Sequence, residues 1–247
     1  MTAPVETGTA RGQREHYDAI WARKTGGAAV EPIRPGTRID MAARFIGTGQ
    51  TLIDIGCGRG ALAALVRGRF ARIVGLDLSA IAAAEARACG VLPALADLDR
   101  ATLPVRDASV DAVTCLDVIE HVLDPRVLMR EIARMLAPGG RAVVTTPNIQ
   151  FWRHIWSIVR GRFPRTSTDP EGWDGGHLHY FTFGDLEALA AECGLDVVHR
   201  HGIINAERYG RKNRALAAIL GERFVREYRT FGILLVLRRR GGTPSCA

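Results

Sequence analysis

The sequence lacks any apolar run that approaches the ~18 consecutive residues of a membrane-spanning helix. Its longest candidate, residues 231–237, is far too short. Residues 1–11 are rich in Thr, Ala and Gly and lack the apolar centre of a secretion signal. The five cysteines are odd in number and show no paired spacing, which indicates reduced thiols. We therefore expect a cytoplasmic protein without a membrane span.

Lysine is almost absent: of the 33 basic residues, only Lys24 and Lys212 are lysines, and the others are arginines. The net charge of the chain is +7. A basic chain is a candidate for nucleic-acid binding. The aromatic residues of the densest basic segment, 208–240, are limited to Tyr209, Phe224, Tyr228 and Phe231, which we interpret as too few for a platform that stacks on exposed bases. A solvated basic face is therefore the better interpretation, and nucleic acid is not the expected substrate.

The most informative motif combines a buried strand, a glycine-rich turn and a helix in the run Leu52-Ile53-Asp54-Ile55-Gly56-Cys57-Gly58-Arg59-Gly60. Glycines at such a turn allow the backbone to approach a ligand closely. Asp54 is placed to face a cationic group, and about twenty residues later Asp77 ends a second strand, where an acid accepts hydrogen bonds from ribose. An amino acid joined to a nucleoside requires this pair of carboxylates. S-adenosylmethionine is such a molecule.

A dinucleotide site is the alternative, because Gly56-x-Gly58-x-x-Ala61 also fits the nicotinamide fingerprint with alanine in third place. Two features favour the methyl donor. Asp54 would repel a pyrophosphate, and about fifty residues precede the first strand, whereas dinucleotide-binding folds usually begin on that strand.

Further motifs in the same order resemble the class I S-adenosylmethionine-dependent methyltransferases over residues 51–198. They are Ala96-Asp97-Leu98, Asp111-Ala112-Val113-Thr114-Cys115-Leu116, Asp117-Val118-Ile119-Glu120-His121-Val122 and Leu136-Ala137-Pro138-Gly139-Gly140. In that family the position of Asp97 reads the adenine edge. We interpret Cys57 as a small packing residue of the turn. The resemblance implies a cofactor site of Tyr17, Trp21, Asp54, Gly56, Cys57, Gly58, Gly60, Asp77, Leu78, Asp97, Leu98 and Leu116.

The alternation of strand and helix patterns predicts an α/β fold with a parallel sheet and helices on both faces. The resemblance implies a Rossmann-like, seven-stranded, mostly parallel sheet whose last strand is antiparallel. We expect strands near 52–55, 72–77, 92–96, 111–116, 141–146, 195–201 and 230–238, and helices near 16–23, 38–45, 61–66, 80–88, 125–135 and 183–193. The predicted organisation is a tail and helical cap at 1–50, a methyltransferase domain at 51–240 with a lid at 148–181, and a disordered tail at 241–247.

The helix expected at 16–23 carries Tyr17 and Trp21, which lie four residues apart and therefore share one helix face. In the fold that the resemblance implies, such a helix closes over the bound cofactor. Ordinary docking of the helix onto the sheet is the alternative.

The irregular segment 148–181 is rich in large aromatic residues and leaves the sheet at the edge where open α/β sheets bind ligands. We expect it to form an acceptor-binding lid, with a short helix at 151–159. Thr146-Pro147-Asn148 and Gly175-Gly176-His177-Leu178-His179-Tyr180-Phe181-Thr182 resemble a subgroup that includes glycan and natural-product O-methyltransferases, ubiquinone-biosynthesis enzymes and MetW-like proteins. The subgroup implies a hydroxyl acceptor on a small molecule or sugar. An N-methyltransferase and a helper protein that acts on a partner enzyme are the alternatives, and both a monomer and a homodimer are compatible.

Three histidines are candidates for the base that removes the proton of the acceptor: His121, His177 and His179. The ordinary pKa of histidine, ~6.5, suits this role at neutral pH. His121 follows the fourth strand, where the methyl group should lie. His177 and His179 are two residues apart, so an extended segment would direct both to one side.

Asp117-x-x-Glu120-His121 with a later histidine resembles the Glu-x-x-Glu-His arrangement of small-RNA 2′-O-methyltransferases and some ubiquinone-biosynthesis enzymes. That resemblance implies a metal site of Asp117, Glu120, His121 and His177 for Mg, Mn, Fe or Zn, which would lower the pKa of a bound hydroxyl. Asp in place of the first Glu shortens the reach by one methylene.

Overall fold

The computed structural model of the protein describes residues 10–25, 33–167, 169, 173–204 and 211–240. Seven strands form one sheet in the order β3-β2-β1-β4-β5-β7-β6. All pairs are parallel except those of β7, which runs antiparallel to β5 and β6. The predicted mostly parallel sheet with an antiparallel last strand is therefore confirmed.

The elements follow one another as the sequence patterns predict, apart from two further helices before the last strand. The strands are β1 (Gly49–Ile55), β2 (Phe70–Asp77), β3 (Leu92–Leu95), β4 (Val110–Leu116), β5 (Leu136–Pro147), β6 (Leu195–Ile203) and β7 (Gly232–Arg239). The helices are α1 (Ala10–Thr25), α2 (Arg38–Phe45), α3 (Ala61–Val66), α4 (Ala80–Ala88), α5 (Pro125–Met135), α6 (Trp152–Val159), α7 (Phe183–Glu192), α8 (Arg211–Leu220) and α9 (Glu222–Arg229).

Two apolar clusters, one on each face of the sheet, explain why the central strands are apolar almost throughout. In β1, Leu52 belongs to the cluster that also contains residues of α2 and α3, whereas Ile53 and Ile55 belong to the cluster that contains residues of α5 and α7. Successive side chains of a strand point to opposite faces, so a strand that is buried on both sides has no polar alternation.

The strand order reverses between β1 and β4, which are neighbours at the centre of the sheet. In open α/β sheets, ligands bind outside the carboxyl ends of the strands at such a point. The glycine turn follows β1 and the segment 117–121 follows β4, so both loops leave the sheet at this crevice.

Three local features differ from the expectation. Helix α1 begins six residues before the predicted start, and β5 already begins at Leu136, because the Pro-Gly-Gly turn forms an irregularity inside the strand. The basic segment near the C-terminus folds into α8 and α9 before β7, and neither helix was predicted. The tail predicted to be disordered, 241–247, lies outside the described residues.

No helix in the described part of the chain is long and apolar enough to cross a membrane.

Candidate functional site

The glycine turn requires glycine for two separate reasons. Gly56, Gly58 and Gly60 all have positive φ, at 67°, 49° and 76°, which other residues rarely adopt. The turn is also crowded, because a Cβ on Gly56 would overlap a methyl group of Val118 and one on Gly58 would lie 2.9 Å from the Trp21 ring. The loop after β4 and helix α1 therefore both close on the turn.

Asp77, at the end of β2, holds the turn in place through its carboxylate. Its Oδ2 accepts a hydrogen bond of 2.8 Å from the Gly58 backbone N–H, and its Oδ1 accepts one of 2.9 Å from the Ser79 N–H. Burial nevertheless raises the pKa of the carboxyl, while these N–H groups oppose the increase. The Asp77 carboxylate therefore orders the turn between β1 and α3 and the start of α4.

Asp54 is buried beneath the glycine turn, with 3% of its surface exposed. Its Oδ1 accepts a hydrogen bond of 2.7 Å from the Thr114 hydroxyl of the neighbouring strand. Burial raises its pKa from the ordinary 3.8 to about 7, the Thr114 hydrogen bond opposes that increase, and the negative charge of Asp77 adds to it. In the structure the side chain therefore faces Thr114, and a cationic ligand nearby would favour its ionised form.

Helix α1 is attached to this site through Asp18, which lies between the predicted residues Tyr17 and Trp21. Asp18 Oδ1 accepts hydrogen bonds from the Ser79 hydroxyl at 2.6 Å and the Ile81 N–H at 3.3 Å, at the start of α4. The pKa of Tyr17 is raised by burial and then by the charges of Asp99 and Asp77. Both predicted aromatic residues therefore lie beside the glycine turn, at the carboxyl edge of the sheet, which we call the cofactor edge because the predicted cofactor residues meet there.

The remaining predicted cofactor residues line the same edge with partial exposure. They are Asp97, Leu98, Leu78 and Leu116. Asp97 accepts a hydrogen bond from the Asp99 N–H at 3.1 Å, and Asp99 in turn accepts one from the Leu123 N–H at 2.7 Å. The loops after β3 and β4 are thereby connected. Cys57 is buried, in agreement with a packing role.

A second group of functional side chains lies at the carboxyl end of β4. One ligand atom each from Glu120, His121 and His177 lies within 4.8 Å of the others, and the two imidazole rings meet edge to face with centroids 4.8 Å apart. Glu120 is completely buried, and neither carboxyl oxygen has a hydrogen-bond partner in the described residues. Nε2 of His177 lies 3.9 Å from its Oε1.

The lid segment orients both histidines. Nδ1 of His177 lies 2.7 Å from the Thr166 hydroxyl, which donates to Asp174 Oδ2 at 2.7 Å. Nδ1 of His121 lies 3.2 Å from the Gly176 carbonyl, to which it donates, so its Nε2 carries the lone pair. In each imidazole, Nδ1 is therefore held by a hydrogen-bond partner, and Nε2 carries the lone pair.

The protonation of the group follows from its burial. The pKa of His121 is lowered by burial and by the neighbouring His177. The pKa of His177 is lowered by burial, although Asp174 opposes the decrease. Burial and the charge of Asp117 raise the pKa of Glu120 well above its usual range. Neutral imidazoles at neutral pH can accept a proton or bind a metal.

Two of the predicted site residues lie outside this group. Asp117 was predicted as a metal ligand, but its Oδ1 accepts from the Thr145 hydroxyl at 2.7 Å and its Oδ2 pairs with Arg38 at 3.0 Å. These contacts hold it at a φ of 53°, which begins the turn into the loop. His179 was predicted to share a side with His177, but its Nε2 lies 3.2 Å from the Leu123 carbonyl. Of the four residues predicted to bind a metal, the structure therefore brings together three: Glu120, His121 and His177.

Comparison with known proteins decides the family. Over residues 32–200, more than half of the chain, the sequence matches the family model described as a methyltransferase domain. The chain belongs to the S-adenosylmethionine-dependent methyltransferases. It is accordingly an enzyme, and S-adenosylmethionine is its cofactor.

Named relatives of this methyltransferase include ubiquinone biosynthesis O-methyltransferases. The protein from Cupriavidus pinatubonensis is 29% identical over 184 residues, which are 70% of this chain and 70% of the relative. The protein from Alkalilimnicola ehrlichii is 29% identical over 185 residues, 66% of this chain and 72% of the relative.

Solved structures share the fold of the methyltransferase. The magnesium protoporphyrin IX methyltransferase from Synechocystis with bound SAH superposes with a TM-score of 0.62 at 15% identity, covering 92% of this chain and 98% of that one. The geranyl diphosphate C-methyltransferase from Streptomyces coelicolor gives 0.59 at 17% identity, covering 96% and 100%. At these identities the likeness concerns the fold alone.

Sequence reasoning missed several residues that shape the methyltransferase site: Asp18, Arg38, Thr145, Thr166 and Asp174. Asp18 had a detectable signal, because it lies three residues before Trp21 on a helix already expected to face the cofactor. Thr166 lies in a stretch without periodicity, so only the fold brings it to His177.

Asp54→Asn should make stability less dependent on pH. Because the folded pKa is about 7 and the ordinary one is 3.8, the folded state binds more protons between these values, and the free energy of unfolding falls as pH rises through this window. Asparagine keeps an acceptor for Thr114 and cannot ionise. We expect the variant to exceed the wild type by a few kcal/mol, roughly, at pH 8 and to equal it near pH 4, as measured by chemical denaturation. Equal differences at both pH values, or no more change than in surface Asp196→Asn, would contradict the assignment.

Trp21→Ala should weaken S-adenosylmethionine binding by about tenfold or more, because the indole covers the glycine turn beside the cofactor. Calorimetric titration measures the affinity, and circular dichroism checks that the variant is folded. Trp173→Ala is the matched control, since this lid tryptophan is 62% exposed. A folded Trp21→Ala protein with wild-type affinity would limit α1 to packing against α4.

Proposed function

We propose that this methyltransferase transfers a methyl group to a hydroxyl oxygen of a small molecule or sugar, with His121 as the base that accepts the hydroxyl proton. The observation that carries the proposal is the imidazole of His121: its Nδ1 donates to the Gly176 carbonyl at 3.2 Å, and its lowered pKa leaves Nε2 unprotonated at neutral pH. It follows β4 at the crevice that the glycine turn also borders.

The reaction requires little more than position and one proton transfer. S-adenosylmethionine supplies a methyl group on a positively charged sulfur, which leaves as the neutral thioether. The protein must hold the acceptor oxygen at roughly 3 Å in line with that methyl. As the new C–O bond forms and the C–S bond breaks, Nε2 of His121 takes the proton from the hydroxyl.

Glu120 and His177 support this proton transfer electrostatically. Thr166 and Asp174 fix the His177 ring so that its Nε2 lies towards Glu120. The positive charge that develops on His121 lies close to the oxygens of the buried Glu120 carboxyl, which stabilise it at short range. His177 therefore acts as a positioning residue or as a second base in the same group.

The lid offers an apolar groove for part of the acceptor. Its volume is about 480 Å³, and it is lined by Ile149, Ile158, Gly161, Arg162, Phe163, Pro164 and Tyr180. The Tyr180 ring lies 6.5 Å from the His177 ring, centroid to centroid. An acceptor that places its hydroxyl at His121 and an apolar portion in this groove fits both features. Among the residues that line the groove, Arg162 carries the one positive charge.

The same three side chains fit a divalent cation. Two neutral imidazoles and a buried carboxyl group that has no hydrogen-bond partner among the described residues form a donor set typical of Fe, Mn or Zn. Glu120, His121 and His177 would hold the metal, with Thr166 and Asp174 orienting one imidazole from behind. A metal held there would lower the pKa of a hydroxyl bound to it.

Transfer to oxygen is favoured over transfer to nitrogen by the relatives, which are named as O-methyltransferases. A role as a helper protein is disfavoured by the complete cofactor edge, in which Asp77 still orders the glycine turn. A protein that only bound a partner enzyme would have no need of the buried Glu120, His121 and His177 group.

His121→Ala should reduce turnover by about 10²–10⁴, the usual contribution of a positioned general base, with the affinity for S-adenosylmethionine nearly unchanged. The assay measures S-adenosylhomocysteine release with a panel of phenols, catechols, hydroxylated sugars and amines. In the wild type, activity should fall only below pH 6.5, because burial lowers the pKa of His121. His199→Ala, an exposed histidine on β6, is the control. Wild-type turnover in His121→Ala would remove it as the base.

Metal removal and metal titration should show whether Glu120, His121 and His177 bind a metal or act in proton transfer without one. Isothermal titration with Co²⁺ or Zn²⁺ measures binding independently of turnover. If the metal belongs to the site, Glu120→Gln should abolish binding and Thr166→Val should weaken it by about 10–100-fold. Glutamine cannot ionise, so Glu120→Gln should remain folded. Full activity after treatment with a chelator, together with no metal binding by the wild type, would leave His121 to act without a metal.

A further inference from the structure

Helix α6 (Trp152–Val159) directs its apolar face away from the protein. Its apolar stripe is formed by Trp152, Ile155, Trp156 and Val159, which follow the i, i+3, i+4, i+7 spacing of one helix face. Their exposed fractions are 40%, 37%, 55% and 68%. A helix on the surface of a globular protein normally turns such a stripe towards the core.

The polar face of α6 makes the contacts with the rest of the protein instead. His154 and Ser157, on the side opposite the apolar stripe, are less exposed than their neighbours. Nδ1 of His154 lies 2.9 Å from the Asn148 carbonyl. The orientation of the helix is therefore fixed by specific contacts, and the apolar stripe stays outside.

The exposed apolar surface continues from the stripe into the lid. Ile158 is 56% exposed and borders the groove with Phe163, which is 47% exposed. The Phe163 ring lies 5.7 Å from that of Trp173, which is 62% exposed. A contiguous patch of this kind marks an interaction surface.

The patch is surrounded by positive charge. The segment 149–167 contains no acidic residue and four arginines: Arg153, Arg160, Arg162 and Arg165. The guanidinium groups of Arg153 and Arg229 lie 5.5 and 5.3 Å from the Trp152 ring, and that of Arg165 lies 4.7 Å from the Trp173 ring. Trp152 is thus flanked by two cations, whereas Trp173 has Arg165 over its ring and the acidic Asp174 next to it in the sequence.

We propose that α6 and the adjoining lid bind the surface of an anionic lipid membrane. Tryptophan and arginine beside aliphatic side chains are the composition of helices that lie in the interface plane, where the apolar face enters the acyl boundary and the cations meet anionic headgroups. The protein attaches by this face without crossing the bilayer.

A second copy of the chain fits the face less well. A helix of eight residues is about 12 Å long, which is short for the ~800 Å² that each partner buries in a stable dimer. Two copies would also bring their arginines together, and the described part of the lid offers few acids to pair with them. An anionic bilayer satisfies both the apolar stripe and the charge.

The test is sedimentation of the full-length protein with vesicles of phosphatidylcholine alone or with about one third phosphatidylglycerol, an anionic fraction at which basic patches respond to surface charge. We expect binding to the anionic vesicles that weakens with added salt. Trp156→Ser combined with Val159→Ser should lower the partition coefficient at least tenfold. Arg160→Gln combined with Arg162→Gln should lower it by about fivefold per arginine.

Two matched control variants each replace two exposed residues outside α6 and the lid, one pair apolar and one pair basic. Ile219→Ser with Leu220→Ser removes apolar residues that are 78% and 50% exposed, and Arg106→Gln with Arg130→Gln removes exposed charges; both should bind like the wild type. The proposal is overturned if the wild type ignores anionic vesicles, or if Trp156→Ser with Val159→Ser binds as tightly as its control. It is also overturned if light scattering shows a wild-type dimer that this variant converts to a monomer. No methyl acceptor is needed, so failure here leaves the proposed transfer to oxygen intact.

Discussion

The parallel pairing of β1 with β4 is the constraint on which the site depends. It sets Ile55 beside Cys115, so the two loops that follow these strands leave the sheet together at the reversal of strand order. Val118 from one loop fills the place that a side chain on Gly56 would need. The loop after β4 therefore requires glycine at position 56, whether or not a ligand also approaches the backbone there. The cofactor edge and the Glu120, His121 and His177 group are two sides of one crevice.

Buried carboxyl groups at both sides of the crevice show where stability and function oppose each other. Asp54 and Glu120 lie among apolar side chains, and burial raises the pKa of each. Neither makes the hydrogen bonds that an ionised carboxylate normally requires, since Asp54 has the Thr114 hydroxyl and Glu120 has no partner in the described region. Groups of this kind cost folding free energy and are concentrated at functional sites.

The sheet was predictable because its signals are local. Apolar runs that end in Gly56 or Asp77 indicate buried strands and their carboxyl ends, and the order of motifs then fixes the crevice. The position of His121 was predictable for the same reason, since it lies in the loop that follows β4. What was not predictable depends on chain segments that meet only in the fold: Arg38 reaches Asp117 and removes it from the predicted metal set, and Thr166 orients His177. The exposure of the apolar face of α6 also could not be foreseen. The spacing of apolar residues indicates that a helix has an apolar face, but it does not indicate whether that face is turned towards the core or towards solvent.

The central claim is that the methyl group is transferred to oxygen. The most direct measurement uses S-adenosylmethionine with a ¹³C-labelled methyl group and a mixture of acceptors that offer hydroxyl, amine and activated carbon nucleophiles. The ¹³C chemical shift and the proton couplings of the new methyl group identify the atom to which it is attached. We predict a label bound to oxygen, formed at a rate that depends on His121. A label on nitrogen or carbon would contradict it.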